Sequence, residues 1–97
     1  MKVRILTSAF NDLTDGREFY ERQGEGLGDY FFDSVFADID SLALYGGIHL
    51  KVSGYHRRLA SRFPYAIYYR MSNENEVIVY RVLDCRQDPA KTRRGLK

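Results

Sequence analysis

The sequence predicts a two-layer α+β domain of order β-α-α-β-β-β, a helical hairpin packed on a mainly antiparallel four-stranded sheet. Three observations lead there. Strand-like alternation opens the chain. Apolar residues at three- and four-residue spacing, interrupted by a glycine cluster, fill the rest of the first half. A period-two pattern rich in Tyr, Ile and Val runs through the second half. At 97 residues, with no internal repeat or linker, the chain is read as a single domain spanning residues 1–97.

The elements follow in order. From Lys2 to Leu6, Val3 and Ile5 alternate with Lys2 and Arg4, as in a half-buried strand. Ser8 is placed as a helix N-cap, with Asp12 available to the first turn. Phe10, Leu13, Phe19 and Tyr20 form the apolar stripe of a helix running to about Gln23, which Gly16 weakens by about 1 kcal/mol relative to Ala. The break Gln23-Gly24-Glu25-Gly26-Leu27-Gly28 reverses the chain, since glycine enters positive φ at little cost. A second helix opens at Asp29. Its stripe is Phe32, Val35, Phe36, Ile39, Leu42 and Ala43, with Asp33, Asp38 and Asp40 largely outside it, and it ends at Tyr45-Gly46-Gly47.

From His49 the period becomes two. Tyr55, Arg57 and Leu59 point to one face of a strand, and His56, Arg58 and Ala60 to the other. Pro64 marks the turn into the next strand, because proline cannot donate to a ladder. Ala66, Tyr68 and Arg70 then oppose Ile67, Tyr69 and Met71. The polar break Ser72-Asn73-Glu74-Asn75 joins this strand to a last one, in which Val77, Val79, Arg81 and Leu83 oppose Ile78, Tyr80, Val82 and Asp84. Pro89 ends it, and residues 90–97 are predicted to be a mobile basic tail.

Composition narrows the function classes. One cysteine, Cys85, excludes an internal disulfide and fits a reducing, cytoplasmic setting; no stretch has the length and apolarity of a membrane span, so no membrane role is expected. The net charge of +2 is unevenly distributed. Residues 1–48 hold four Lys/Arg against nine Asp/Glu, a net of −5, and residues 49–97 hold eleven against four, a net of +7. If the halves form different surfaces, one face is basic and attracts nucleic acid, ribosomes or an acidic protein. If the charges interleave, it does not.

Each chemistry-bearing residue has a functional and a structural reading. His56 titrates near neutral pH, but a strand histidine at the surface is ordinary. Arg58, Arg62, Arg70 and Arg81 suit bidentate phosphate contacts, or a solvated strand face. Tyr65, Tyr68, Tyr69 and Tyr80 suit base stacking, yet aromatics at strand spacing usually build a core. Asp84 suits a base, or a pair with Arg86. Cys85, with no cysteine or histidine partner in sequence, is read as a buried structural thiol. Gly24, Gly26 and Gly28 lack the strand-to-helix context of a phosphate loop, and His49 and His56 lack further ligands at metal spacing, so no cofactor and no metal are expected.

Four pieces, taken in order, carry a family resemblance: Gly26-Leu27-Gly28 before Phe32; Tyr55-His56-Arg57-Arg58-Leu59; Phe63-Pro64-Tyr65-Ala66-Ile67-Tyr68-Tyr69-Arg70; and Val82-Leu83-Asp84-Cys85-Arg86-Gln87-Asp88-Pro89. Over nearly its whole length the chain resembles the RelE/ParE toxins of bacterial type II toxin–antitoxin, or plasmid stabilisation, systems. The resemblance implies a cytoplasmic, growth-inhibiting toxin held inactive by a cognate antitoxin, with room for a higher-order toxin–antitoxin complex. It implies one of two targets. RelE-like members cut mRNA in the ribosome, whereas ParE-like members bind DNA gyrase and are not nucleases.

RNA cleavage through the 2′-OH needs proton removal from the attacking hydroxyl, cationic stabilisation of the phosphorane and a proton for the leaving oxygen. Measured against the RelE-like set, Arg57 falls where the resemblance places a lysine, but Leu59 and Ala66 fall where a further basic residue and an arginine belong. Arg86 matches a basic position, Asp84 replaces a histidine, and no tyrosine follows Tyr80. A nuclease would therefore rest on His56, Arg57, Arg58 and Arg86. A binding poison, the favoured expectation, would use Arg57, Arg58, Arg62, Arg70, Arg81 and Arg86 as a basic contact face, open to an acidic antitoxin. A non-toxic remnant that still binds its antitoxin is the third reading.

Overall fold

A computed structural model describes residues 1–73 and 75–96; Glu74 of the predicted polar break and Lys97 of the predicted tail lie outside them. The elements are β1 (Lys2–Ile5), α1 (Thr7–Glu21), α2 (Leu27–Asp40), α3 (Leu42–Tyr45), β2 (Lys51–Val52), β3 (Tyr55–Leu59), β4 (Tyr65–Ser72), β5 (Glu76–Asp84) and α4 (Pro89–Gly95). The α+β class is as expected, but the sheet has five strands rather than four, in the order β1-β5-β4-β3-β2. The extra strand, β2, forms because Ser53 and Gly54 both take positive φ (55° and 83°), the geometry of a two-residue hairpin, which splits the segment after His49 into two strands. Among the described residues, β1 runs parallel to its neighbour, β5, and the remaining pairings are antiparallel.

The helical hairpin covers one face of the sheet. Leu13 of α1 and Phe31, Val35 and Ile39 of α2 pack on Ile67, Tyr69, Val77 and Val79, and all eight are fully buried. The second helix begins two residues before Asp29, which stands in its first turn, and turns Phe31 rather than Phe32 into the core. Phe31 meets Tyr20, Phe63 and Tyr65 at ring-centroid distances of 4.8–5.1 Å. The ring lies so close to α1 that a Cβ on Gly16 would stand 2.5 Å from it, so this glycine admits the core ring rather than merely weakening a helix.

Two local expectations change for one reason. The β1 ladder stops at Ile5↔Val79, leaving the edge of β5 open beyond that point. Polar side chains of α1 take over: Ser8 Oγ donates to the Tyr80 carbonyl at 2.6 Å, and Asp12 Oδ2 accepts the Val82 N–H at 2.9 Å. Ser8 therefore does not cap the helix, whose N-cap is Leu6 with no side-chain bond, and Asp12 does not serve its first turn. A register shift between Tyr68 and Tyr69 pairs them with Arg81 and Val79, so Tyr80 is an extra residue. The strict alternation predicted for β5 is broken there, which is how Val79 and Val82 both face the helices.

Within the stretch expected to be a mobile tail, residues Pro89–Gly95 form α4. Asp88 caps it, accepting the Ala90 N–H at 2.8 Å, and Pro89 supplies a first-turn residue that needs no donor. Leu96, just past the helix, is buried against Tyr55, Ala66, Tyr68 and Leu83 on the sheet face opposite the hairpin. No helix among the described residues is long and apolar enough to cross a membrane.

Candidate functional site

Strand alternation divides the predicted nuclease residues. Tyr55 and Arg57 share the sheet face away from the helical hairpin. Arg57 Nε donates to the Tyr68 hydroxyl at 3.1 Å, and that bond is the main reason its guanidinium is held above its ordinary pKa. Its Nη2 lies 3.5 Å from Cys85 Sγ. Cys85 is exposed, not buried as expected, because it follows the end of β5 and turns outward. Val52, Arg57, Tyr68, Cys85 and Leu96 line a cleft of about 300 Å³ between α4 and the sheet.

His56 and Arg58 face the helical side. His56 stacks on Tyr69 with centroids 5.0 Å apart, and its Nδ1 donates to the His49 carbonyl at 2.6 Å, since a carbonyl can only accept. Arg58 is 3.4 Å from Asp38 Oδ1. Asp38 is itself buried in α2, where it also accepts the Ser61 N–H at 2.8 Å and the Ser61 hydroxyl at 2.9 Å. Arg86 lies past β5, gripping Asp84 at 2.7 and 2.9 Å and reaching the Tyr20 hydroxyl at 3.4 Å. The Arg86 bond is the first cause holding the Asp84 carboxyl below its usual range, which makes it a weaker base. The structure thus puts His56 and Arg58 on one face and Arg57 on the other, with Arg86 beyond the last strand.

The six arginines do not form one continuous face either. Arg57 and Arg70 share the side away from the hairpin, where Arg70 stacks 4.0 Å over Tyr55. Arg62, in the turn before β4, lies over Tyr30 and donates to its hydroxyl at 3.2 Å. Arg81 is drawn to the β5 edge by a bidentate bond to Asp12 (2.7 and 2.9 Å) and a bond to the Gly95 carbonyl at 2.8 Å; the Asp12 bond is the main cause raising its pKa. Arg58, Arg81 and Arg86 are each paired with a carboxylate, whereas Arg57, Arg62 and Arg70 have no carboxylate within 4.0 Å among the described residues. The pairs Asp12–Arg81 and Asp38–Arg58 join the acidic first half to the basic second half, so the charges interleave in part.

Several of these partners were not singled out as site residues from the sequence. Asp12, Asp38 and Ser61 gain their roles from long-range contacts that local pattern does not encode. His49, which lacks metal partners at sequence spacing, meets the Tyr69 hydroxyl through its Nδ1. Among the described residues no cluster of His, Cys, Asp and Glu has the arrangement of a metal centre.

Comparison with known proteins agrees with this architecture. One solved structure, "Chromosomal ParDE TA system from P. aeruginosa", superposes with a TM-score of 0.69 at 15% sequence identity, covering 84% of this chain and 92% of that one. No curated protein sequence matches the chain. A family model described as "ParE toxin of type II toxin-antitoxin system, parDE" matches residues 3–89, and on that match the chain belongs to the ParE toxin family.

Proposed function

We propose that this protein is the toxin of a cytoplasmic toxin–antitoxin pair and that it poisons DNA gyrase by binding, without cutting RNA. The observation that carries the second part is the dispersal of the nuclease candidates. General acid–base cleavage needs its groups within hydrogen-bond reach of one phosphate. Here His56 and Arg57 belong to opposite faces of β3, and Leu59 and Ala66 occupy positions where the resemblance implies basic groups. Asp84 and Arg86 satisfy each other.

The partner is an acidic antitoxin. Arg57, Arg62 and Arg70 are the cations it meets at least desolvation cost, since their charges are not already spent on a carboxylate. The complex therefore weakens with salt. A higher-order assembly of toxin and antitoxin is compatible with this arrangement.

Pulse-labelling of DNA and protein synthesis just after induction of the chain alone tests the reading. Early arrest of DNA synthesis supports a gyrase poison. Early arrest of protein synthesis, with cuts mapped in mRNA, would overturn it in favour of a RelE-like nuclease. Unimpaired growth would leave a non-toxic, antitoxin-binding remnant.

A further inference from the structure

A cavity of about 440 Å³ lies between α1, the end of β5 and α4, and none of Arg57, Arg62 and Arg70 lines it. Phe19 and Leu83 give it an apolar side. Tyr65 reaches it from the core. The ring is fixed by Phe31 at a centroid distance of 4.8 Å and by Tyr20 at 6.3 Å, and the residue is only 7% exposed. Every fully enclosed side-chain nitrogen and oxygen among the described residues has a hydrogen-bond partner. The Tyr65 hydroxyl has no partner among those residues, so it is not enclosed: it is the part of the side chain that opens on the cavity.

A hydroxyl fixed by a packed ring, with its proton and lone pairs unused, offers a ready bond to whatever enters. Burial, followed by the charge of Asp84, pushes its pKa up to about 12, so the proton is present at neutral pH. The surrounding charges select the ligand. Five charged side chains line the cavity: Asp12, Asp15, Arg81, Asp84 and Lys91. Three are already engaged, since Asp12 and Arg81 bind each other and Arg86 grips Asp84. Asp15 of α1 and Lys91 of α4 have no ion-pair partner within 4.0 Å among the described residues. A simple cation would be drawn to Asp15 and repelled by Lys91, and a simple anion the reverse. A molecule carrying both charges gains from each. An apolar wall with a few converging polar groups, in a cleft of this size, suits a small molecule.

We infer that this cavity binds a free amino acid with an apolar side chain. Its ammonium faces Asp15, its carboxylate takes the Tyr65 proton and faces Lys91, and its side chain lies against Phe19 and Leu83. This binding does not rest on the toxin reading and is separate from the contact assigned to the antitoxin.

The test titrates the isotope-labelled 97-residue chain with three probes that share one apolar body, followed by nuclear magnetic resonance. L-Phenylalanine carries both charges, phenethylamine the cation alone and hydrocinnamate the anion alone. L-Phenylalanine should shift the amides of Asp15, Gly16 and Leu83 and saturate with a Kd on the order of 1 mM, the range open to so small a ligand. Each singly charged probe should bind roughly 5-fold more weakly. Tyr65→Phe should keep the wild-type melting behaviour, because the hydroxyl has no internal bond to lose, and should weaken L-phenylalanine roughly 10-fold. Asp15→Asn, at an exposed position, should erase the preference for L-phenylalanine over hydrocinnamate. Absence of a saturable shift from L-phenylalanine would overturn the site. Equal affinity for phenethylamine would make the cavity a plain cation site and overturn the assignment. Unchanged affinity in both variants would put the probe elsewhere on the chain and overturn it as well.

Discussion

The hydroxyl of Tyr69, a side chain with no exposed surface, lies 2.5 Å from His49 Nδ1 and fastens the segment between α3 and β2 to the sheet. That oxygen also accepts the Gly47 N–H, and with neutral His49 unprotonated at Nδ1 its own proton is donated to that nitrogen. Protonation of His49 would turn an acceptor into a donor and leave the Tyr69 proton without its partner.

Stability should therefore depend on pH through His49. Burial, followed by the nearby charges of Arg58 and His56, holds its pKa below the ordinary 6.5. The unfolded chain then binds the proton more readily than the folded one, so the contribution is complete above about pH 6.5 and is lost as pH falls below it. Urea unfolding at pH 7.5 and 5.5 should show a drop in midpoint for the wild type and a smaller drop for His49→Gln. Equal drops would mean that His49 does not carry the effect.

Gly16→Ala should destabilise the protein. Helix propensity alone favours the substitution by about 1 kcal/mol. Against this, the new methyl would stand 2.5 Å from a Phe31 ring that Tyr20, Phe63 and Tyr65 hold in place. Overpacking of this kind costs about 1–3 kcal/mol, so the net effect is a loss of up to about 2 kcal/mol. Denaturant titration gives the sign directly, and a stabilised variant would show that the ring can yield.

These two sites mark the limit of what the chain reveals before folding. Period-two and helical spacing are local, so the element order, the hairpin break and the strand faces around Arg57 and His56 were legible. Sheet closure is not local. The ladder ending at Ile5↔Val79 decides that Ser8 and Asp12 serve β5, and the extra residue at Tyr80 decides which β5 side chains face inward. The same limit governs the site. Arginine positions could be read from the chain, but the carboxylates that engage Arg58 and Arg81 lie on helices far away in sequence. Residues 90–97 show no periodicity, and Pro89, which fits the end of a strand, also fits the first turn of α4 behind the cap Asp88.

Arg81 should behave as a structural residue. Asp12 binds its guanidinium twice and also satisfies the Val82 N–H, which the open β5 edge would otherwise leave without a partner. Arg81→Gln and Asp12→Asn should each cost about 1.5–3 kcal/mol, as for bonds to charged groups. The double variant should cost clearly less than their sum, because each single change already breaks the pair. Arg70→Gln, by contrast, should alter stability by less than about 1 kcal/mol. Chemical denaturation of the four variants distinguishes a structural cation from an available one, and strict additivity of Arg81 and Asp12 would refute the coupling.

Leu96 should decide whether the C-terminal segment is docked or free. It is a buried residue by which the segment after β5 meets the sheet; the Tyr55 hydroxyl donates to its carbonyl at 2.9 Å, and Arg81 holds the neighbouring Gly95 carbonyl. Shortening the side chain to Ala removes three carbons from the cluster with Tyr55, Tyr68 and Leu83. A buried Leu→Ala change costs about 2–5 kcal/mol in a rigid core. The short helix α4, with no buried residue of its own, can relax toward the gap, so the lower part of that range applies here. The loss should be regional rather than global. In Leu96→Ala, amides of α4 should exchange with solvent faster than in the wild type, while those of β4 and β5 keep their protection. Rapid exchange of α4 in the wild type itself would show that the helix is undocked in solution, with the cleft at Arg57, Tyr68 and Cys85 open without it.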